Sequence, residues 1–250
     1  MLRSYGNSRL FGESYGSGEV RVIWLHGWAR QAQDFAAAAN VLAESGIGSV
    51  ALDLPGFGAS PAPEVPGGAR HYAELILPAI KEIASSPVVL VGHSFGGTVA
   101  VVLAAEHPEL FSSVVLTGAP VLRSPSSSRA ALSYRTIRWL VRRHLLSKAY
   151  LERARQKYGS TDYRRAHGIM RDVLVASVNE SYEPEIARLS VPVTFLWGAG
   201  DRDVPLVIAQ SAAALTTGPT NLLEISDVGH LVPLEAPTEL AAAALRALGL

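Results

Sequence analysis

One stretch of this chain, Val88-Val89-Leu90-Val91-Gly92-His93-Ser94-Phe95-Gly96-Gly97-Thr98-Val99-Ala100, limits the possible folds more than any other. The run before Gly92 is apolar, rich in β-branched residues and bounded by Pro87 and a glycine, as expected of a strand buried on both faces of a parallel sheet. From Thr98 to Glu106 the chain reads as a helix, and His107-Pro108 closes it, because a residue before proline is pushed out of the helical region. Ser94 therefore falls on a strand-to-helix turn. A turn this sharp drives its central residue toward strained dihedrals and brings backbone segments together, so small residues at 92, 96 and 97 relieve clashes that a Cβ would cause. The serine hydroxyl is left at the carboxyl end of the sheet, where open α/β folds bind their ligands.

The rest of the chain supplies what such a sheet needs. Strands are expected within 20–27, 48–60, 112–120, 191–201 and 220–230. Helices are expected over 34–46, 71–86 and 235–248, the first with Asp34 as N-cap and Gly46 just past its end. Alternating strands and helices imply an α/β fold with a parallel sheet covered on both faces. At 250 residues and 48% hydrophobic, the chain can bury one enzyme-sized core. No uncharged apolar run is long enough to span a membrane and the first residues lack an apolar segment, so neither a span nor a signal peptide is expected, and a cytoplasmic location is the simplest reading. The chain has no cysteine, which excludes disulfides and thiolate chemistry. His71, His107, His144 and His167 carry no ligand spacing, and neither metal nor cofactor is expected.

A serine hydroxyl is a weak nucleophile near neutral pH. It needs a base within hydrogen-bond reach, and the base needs a group that orients it and stabilises its protonated form. When a Gly-x-Ser-x-Gly turn such as Gly92-His93-Ser94-Phe95-Gly96 carries the nucleophile, an acid and then a histidine follow it in the chain. Two later loops fit that order. Trp197-Gly198-Ala199-Gly200-Asp201-Arg202-Asp203-Val204-Pro205 offers Asp201 or Asp203, and Asp227-Val228-Gly229-His230 offers His230.

Four motifs in order carry a family resemblance: His26-Gly27-Trp28; Asp53-Leu54-Pro55-Gly56-Phe57-Gly58 with Ser60; Gly92-His93-Ser94-Phe95-Gly96-Gly97; and Gly198, Asp201 and Pro205 with Gly229-His230. The chain resembles the α/β-hydrolase superfamily, in its branch of small serine esterases and lipases with a helical cap between the sixth and seventh strands. The first two motifs are similar to those of carboxylesterases that demethylate pimeloyl-carrier esters. The resemblance implies Ser94 as nucleophile, His230 as base and Asp201, four residues before Pro205, as acid. Asp203 is then a loop carboxylate. It also implies an oxyanion hole built from the backbone N–H groups of Phe95 and Trp28. His26 and His93 are expected to organise hydrogen bonds beneath the site, Asp53 to tether the following turn, and Trp24 and Trp197 to lie in the core.

The resemblance covers all but the middle of the chain, and divides it into a core (1–120 and 189–250) and a cap (121–188). The cap carries 14 of the 22 Lys and Arg but only 6 of the 22 Asp and Glu, so a neutral protein combines a basic cap with an acidic core. Helically spaced apolar residues in the cap fit helices laid over the sheet's carboxyl edge, where they exclude water and shape an acyl pocket. The basic residues either face solvent or attract an anionic acyl group or an acidic carrier protein, with Arg142 and Arg143 as the candidate contacts. Zero net charge without interleaved aromatics argues against nucleic acid.

A serine nucleophile implies acyl transfer, and the reading is a carboxylesterase acting through an acyl-enzyme. Carbon–carbon, lactone, thioester and amide hydrolysis, and transfer to an alcohol, need the same three residues and stay open. A non-catalytic binding relative is the alternative from another class, since fold alone does not decide function.

Overall fold

The computed structural model describes residues 1–6, 9–122, 141, 143, 147 and 161–250. Its strands are β1 (Leu2–Tyr5), β2 (Leu10–Tyr15), β3 (Val20–Leu25), β4 (Gly48–Asp53), β5 (Val88–His93), β6 (Phe111–Thr117), β7 (Val193–Gly198) and β8 (Thr220–Ile225). They form one 8-stranded sheet in the order β1-β2-β4-β3-β5-β6-β7-β8. β2 runs antiparallel to both its neighbours, β1 and β4, and every other adjacent pair is parallel.

The central strands show why their sequences are continuously apolar. Along β3 and β5, Ile23, Leu25, Val88 and Leu90 join one core cluster with Tyr72, Ile76, Val99 and Leu103, whereas Val22, Trp24, Val89 and Val91 join a second with Phe35, Leu42, Leu240 and Ala244. Successive side chains point to opposite faces of the pleat, so a strand covered on both sides must be apolar at every position. One cover consists of the helices α2 (Ala69–Ile83) and α3 (Phe95–Glu106), the other of α1 (Ala36–Glu44) and the last helix, α9 (Pro237–Ala247).

Three features depart from the sequence reading. The β1–β2 hairpin was not expected: Leu2 and Ser4 are exposed, β2 is only partly buried, and an edge pair of this kind leaves little periodic signal. Asp34 does not cap α1. A 3-10 turn over Ala32–Phe35 precedes the helix, and the Asp34 carboxylate accepts from Arg30 Nε instead. The closing helix is broken at Ala236 into α8 (Val232–Glu235) and α9, which starts on a proline.

Between β6 and β7 the described chain forms α4 (Thr161–Arg165), α5 (Gly168–Ser177) and α6 (Glu183–Arg188), and α7 (Leu206–Leu215) follows β7. Val173, Tyr182 and Ile186 of this insertion are buried in the main core cluster. Arg70, in the first turn of α2, fixes its final segment: the guanidinium donates to the Glu185 carboxylate at 2.7 Å and to the Ser181 carbonyl at 2.9 Å, and lies 5.3 Å from the centre of the Tyr182 ring. Among the described residues no helix is long and apolar enough to cross a membrane.

Trp24 and Trp197 are fully buried, as expected of core residues. Trp197 also holds the loop after β7, because its Nε1–H donates to the Val204 carbonyl at 2.8 Å. Replacing Trp197 by Phe leaves that carbonyl unpaired beside a small void, and should cost about 1–3 kcal/mol. Urea denaturation measures this loss, and an unchanged midpoint would show that the bond contributes nothing.

Candidate active site

Ser94 has φ 50 and ψ −116, a left-handed conformation that few non-glycine residues adopt. The turn is possible because its neighbours have no side chain. A Cβ on Gly92 would lie 2.6 Å from Gly97 Cα, and one on Gly96 would strike the carbonyl oxygens of Leu25 and His26. The turn is then pinned on both sides: Ser94 N–H donates to the Thr117 carbonyl at 2.8 Å and Gly96 N–H to the His26 carbonyl at 3.0 Å.

The loops after β7 and β8 bring two more side chains to this turn. Ser94 Oγ is 3.1 Å from His230 Nε2, and His230 Nδ1 is 2.9 Å from Asp201 Oδ2. Asp201 Oδ1 accepts the N–H groups of Asp203 and Val204 at 2.9 and 2.8 Å. A carboxylate is an acceptor only, so His230 Nδ1 must carry the hydrogen, which leaves Nε2 free to accept from the Ser94 hydroxyl. Asp201 is buried and in line with the imidazole; Asp203 is exposed and reaches Asp201 through its backbone.

Burial of the His230 ring opposes its charge. The hydrogen bond and charge of Asp201, helped by the charges of Asp203 and Glu235, outweigh that penalty and raise its pKa above the ordinary 6.5. His93 behaves oppositely. Its ring centre is 5.0 Å from that of His230. Burial, and then the charge of His230, push its pKa down to about 3. His93 is therefore neutral, with Nδ1–H donating to the Thr117 carbonyl at 3.2 Å, and Nε2 has no partner among the described residues.

Beneath the turn, His26 is also held neutral by burial: its Nδ1–H donates to the Gly27 carbonyl at 2.7 Å, and its Nε2 accepts Leu54 N–H at 3.0 Å. The Gly27 carbonyl accepts Arg30 N–H as well, at 3.2 Å. Because a trans peptide directs N–H opposite to C=O, the Trp28 N–H points away from both donors. The Phe95 N–H opens α3, where the first turn's donors have no intrahelical partner and the helix dipole favours negative charge. Among the described residues no backbone carbonyl accepts from either N–H. Asp53 accepts Ala32 N–H at 2.7 Å and Ala59 N–H at 2.8 Å, tying the loops after β3 and β4 together.

Aromatic rings line this end of the sheet. Trp28 meets Phe57 and Phe95 edge to face at 5.0 and 5.8 Å, and Phe95 meets Tyr72 at 4.9 Å. Tyr163, Ala166 and Leu174 of the insertion pack on Trp28. Of the residues expected to contact anions, Arg142 lies outside the described residues; Arg143 is exposed and engaged in an interaction of its own. The structure brings together Ser94, His230 and Asp201, the three residues that the motif order singles out; the sequence carries no sign of the aromatic cluster, whose members lie on four separate segments.

A mostly parallel sheet with a serine turn at the end of β5 and a helical insertion after β6 is the alpha/beta hydrolase fold. The chain belongs to the alpha/beta hydrolase family, whose model matches residues 22–243. It is 28% identical to Protein ABHD8 of Bos taurus over 88% of this chain and 54% of that protein, so it spans about half the length of that relative. It is 30% identical to Lipase LipV of Mycobacterium tuberculosis over 95% of this chain and 97% of that one. A pimeloyl-[acyl-carrier protein] methyl ester esterase of Chromobacterium violaceum is 37% identical over 43% of this chain and 39% of its own length. The crystal structure of a membrane phospholipase A superposes with a TM-score of 0.74 at 22% identity, covering 100% of this chain and 85% of that one.

The buried neutral His93 has a measurable consequence. Between pH 6.5 and about 3 the unfolded chain binds a proton at this residue and the folded one does not, so stability is lost as the pH is lowered across that window. The contribution is about 1.4 kcal/mol per pH unit. His93→Phe should flatten the acid limb of unfolding free energy against pH by that slope, with the similar contribution of His26 remaining. Equal slopes in the two proteins would show that His93 titrates normally in the folded state.

Proposed function

We propose that the protein is a serine hydrolase that cleaves carboxylic esters through an acyl-enzyme intermediate. The observation that carries this reading is the continuous chain Ser94 Oγ, His230 Nε2, His230 Nδ1, Asp201 Oδ2, with 3.1 and 2.9 Å links. His230 Nε2 takes the hydroxyl proton as Ser94 Oγ attacks the ester carbonyl, and Asp201 stabilises the imidazolium that forms. The N–H groups of Phe95 and Trp28 receive the negative charge that develops on the carbonyl oxygen, and donors fixed before the reaction need not reorganise when it arrives. The tetrahedral adduct collapses as His230 gives its proton to the departing alkoxide. Water then repeats the sequence against the acyl-Ser94 ester, with His230 as base, and regenerates the free serine.

The surroundings favour an acyl group of apolar character. Trp28, Phe57 and Phe95 form the described wall next to Ser94, and the insertion, which we take as a cap, places Tyr163 and Leu174 over Trp28. The lipase and methyl ester esterase names of two relatives agree with ester hydrolysis. The basic excess of residues 121–188 also makes anionic or carrier-bound acyl groups worth testing, with Arg142 and Arg143 as the residues to reverse.

Hydrolysis of p-nitrophenyl esters from acetate to decanoate, together with methyl hemiesters of dicarboxylic acids, tests the proposal. Ser94→Ala should abolish turnover and fluorophosphonate labelling. Folded wild-type protein that neither turns over any ester nor takes the label would reject it in favour of a binding role.

The pH profile separates the two acids. An imidazolium cannot accept the Ser94 proton, so kcat/KM should fall as pH drops through the His230 pKa, with the midpoint above 6.5. Asp203→Asn removes one charge that raises this pKa, and should move the acid limb down by a fraction of a pH unit while sparing the alkaline rate. Asp201→Asn removes the orienting acceptor and should lower kcat on the order of 10⁴-fold. The reverse pattern would assign the acid to Asp203.

A further inference from the structure

The chain contains only two methionines and no cysteine, so Met170 is its one internal sulfur. It lies near the start of α5 and is half-buried against the loop that follows β4. Gly56 in that loop has φ 85, and a Cβ there would fall on Met170 Sδ and within 2.6 Å of Cε. The thioether and its methyl group thus occupy the space that the glycine's missing side chain provides. Met170 and Leu174 are four residues apart and share one face of α5. The first sits on Gly56, and the second joins the cluster packed on Trp28.

The cradle suits a thioether and not a polar group. Gly56 N–H donates to the Pro61 carbonyl at 2.8 Å, Phe57 N–H to the Leu54 carbonyl at 2.9 Å and Ala59 N–H to Asp53 at 2.8 Å. Leu54 N–H is taken by His26. The N–H groups of Leu54, Gly56, Phe57 and Ala59 are therefore already used, and the loop is held by its own hydrogen bonds. A sulfoxide oxygen on Sδ would be a strong acceptor pressed against the backbone of Gly56, whose own N–H is already taken, and the polar S–O group is a poor fit in a space that holds a thioether.

We propose that Met170 is an oxidation-sensitive docking point, through which peroxide releases α5 from the loop bearing Gly56 and Phe57. In the step itself a sulfur lone pair of Met170 attacks a peroxide oxygen. The S–O bond forms as the O–O bond breaks, sulfur is oxidised by two electrons to the sulfoxide, and the peroxide is reduced to water. Release of α5 loosens the cluster of Tyr163, Ala166 and Leu174 that packs on Trp28, whose backbone N–H is one of the proposed oxyanion donors. The effect on turnover rests on the ester-hydrolase reading; the effect on α5 does not.

The test treats the full chain with hydrogen peroxide, follows the 16 Da mass gain at Met170 by peptide mass spectrometry, and measures two quantities. Amide hydrogen exchange over residues 161–177 should rise on the order of ten-fold on oxidation, reflecting local opening, and methionine sulfoxide reductase should restore it. Ester hydrolysis should fall in parallel. Met170→Leu, close to methionine in volume, should keep slow exchange and full turnover after the same treatment. Stoichiometric oxidation of Met170 without faster exchange overturns the proposal, as does a sulfur that peroxide does not reach or an equal response in Met170→Leu. Oxidation-dependent exchange in a protein that hydrolyses no ester supports the docking point and rejects only the catalytic reading.

Discussion

The strained turn at Ser94 is the constraint on which the site depends. Holding a serine at φ 50 costs on the order of 1–3 kcal/mol, and the conformation persists because its surroundings permit nothing else. β5 enters from the middle of the sheet with every residue buried, and α3 leaves with ten of its residues buried. Gly92 and Gly96 let the two segments approach more closely than any Cβ would allow. The strain is thus offset by the core as a whole rather than by one contact. The outcome is a hydroxyl that projects from the sheet's end at a fixed position, which the loops after β7 and β8 have only to meet.

Those loops are held as firmly as the turn. Trp197 anchors one, and Asp201 uses one carboxylate oxygen to organise its own loop and the other to orient His230. The neighbouring histidines have a different task. His26 and His93 are buried and neutral, so each can fix a tautomer and hold a backbone carbonyl without placing a positive charge beside His230. Of these three rings it is His230, held by Asp201, whose pKa is raised.

The central strands and the serine turn were legible in the sequence because burial on both faces demands an unbroken apolar run, and a crowded turn demands glycine. The same logic fails at the sheet's edge. Arg3 and Ser4 of β1, and Glu13 and Ser14 of β2, are successive residues on opposite faces and none of them is buried, so the hairpin lacks an alternating pattern and nothing in so short a segment distinguishes it from loop. Asp34 was misread for a related reason: an aspartate before an apolar run satisfies the N-cap pattern, but Arg30 lies four residues earlier and the chain enters α1 through a 3-10 turn. The choice between Asp201 and Asp203 depended on family spacing; burial and the direction of the carboxylates distinguish them geometrically. The aromatic cluster was invisible because Trp28, Phe57, Tyr72 and Phe95 are close only after folding.

The insertion meets the core through apolar groups and through the Glu185 carboxylate that Arg70 holds, and turns its described basic residues elsewhere. In α4, Tyr163 is buried against Trp28, while Arg164 and Arg165 are exposed. Arg171 is spent locally: it donates to the Ala166 carbonyl at 2.9 Å and lies over the Tyr163 ring, joining α4 to α5. The described part of the basic excess therefore sits on the outer surface or serves the insertion's own packing. A charge so placed acts over distance, on the approach of a ligand, and is weakened by salt. The described surface at this end of the sheet is instead aromatic: Trp28, Phe57 and Phe95 come from the core, and the insertion's Tyr163 belongs to the cluster on which Trp28 packs.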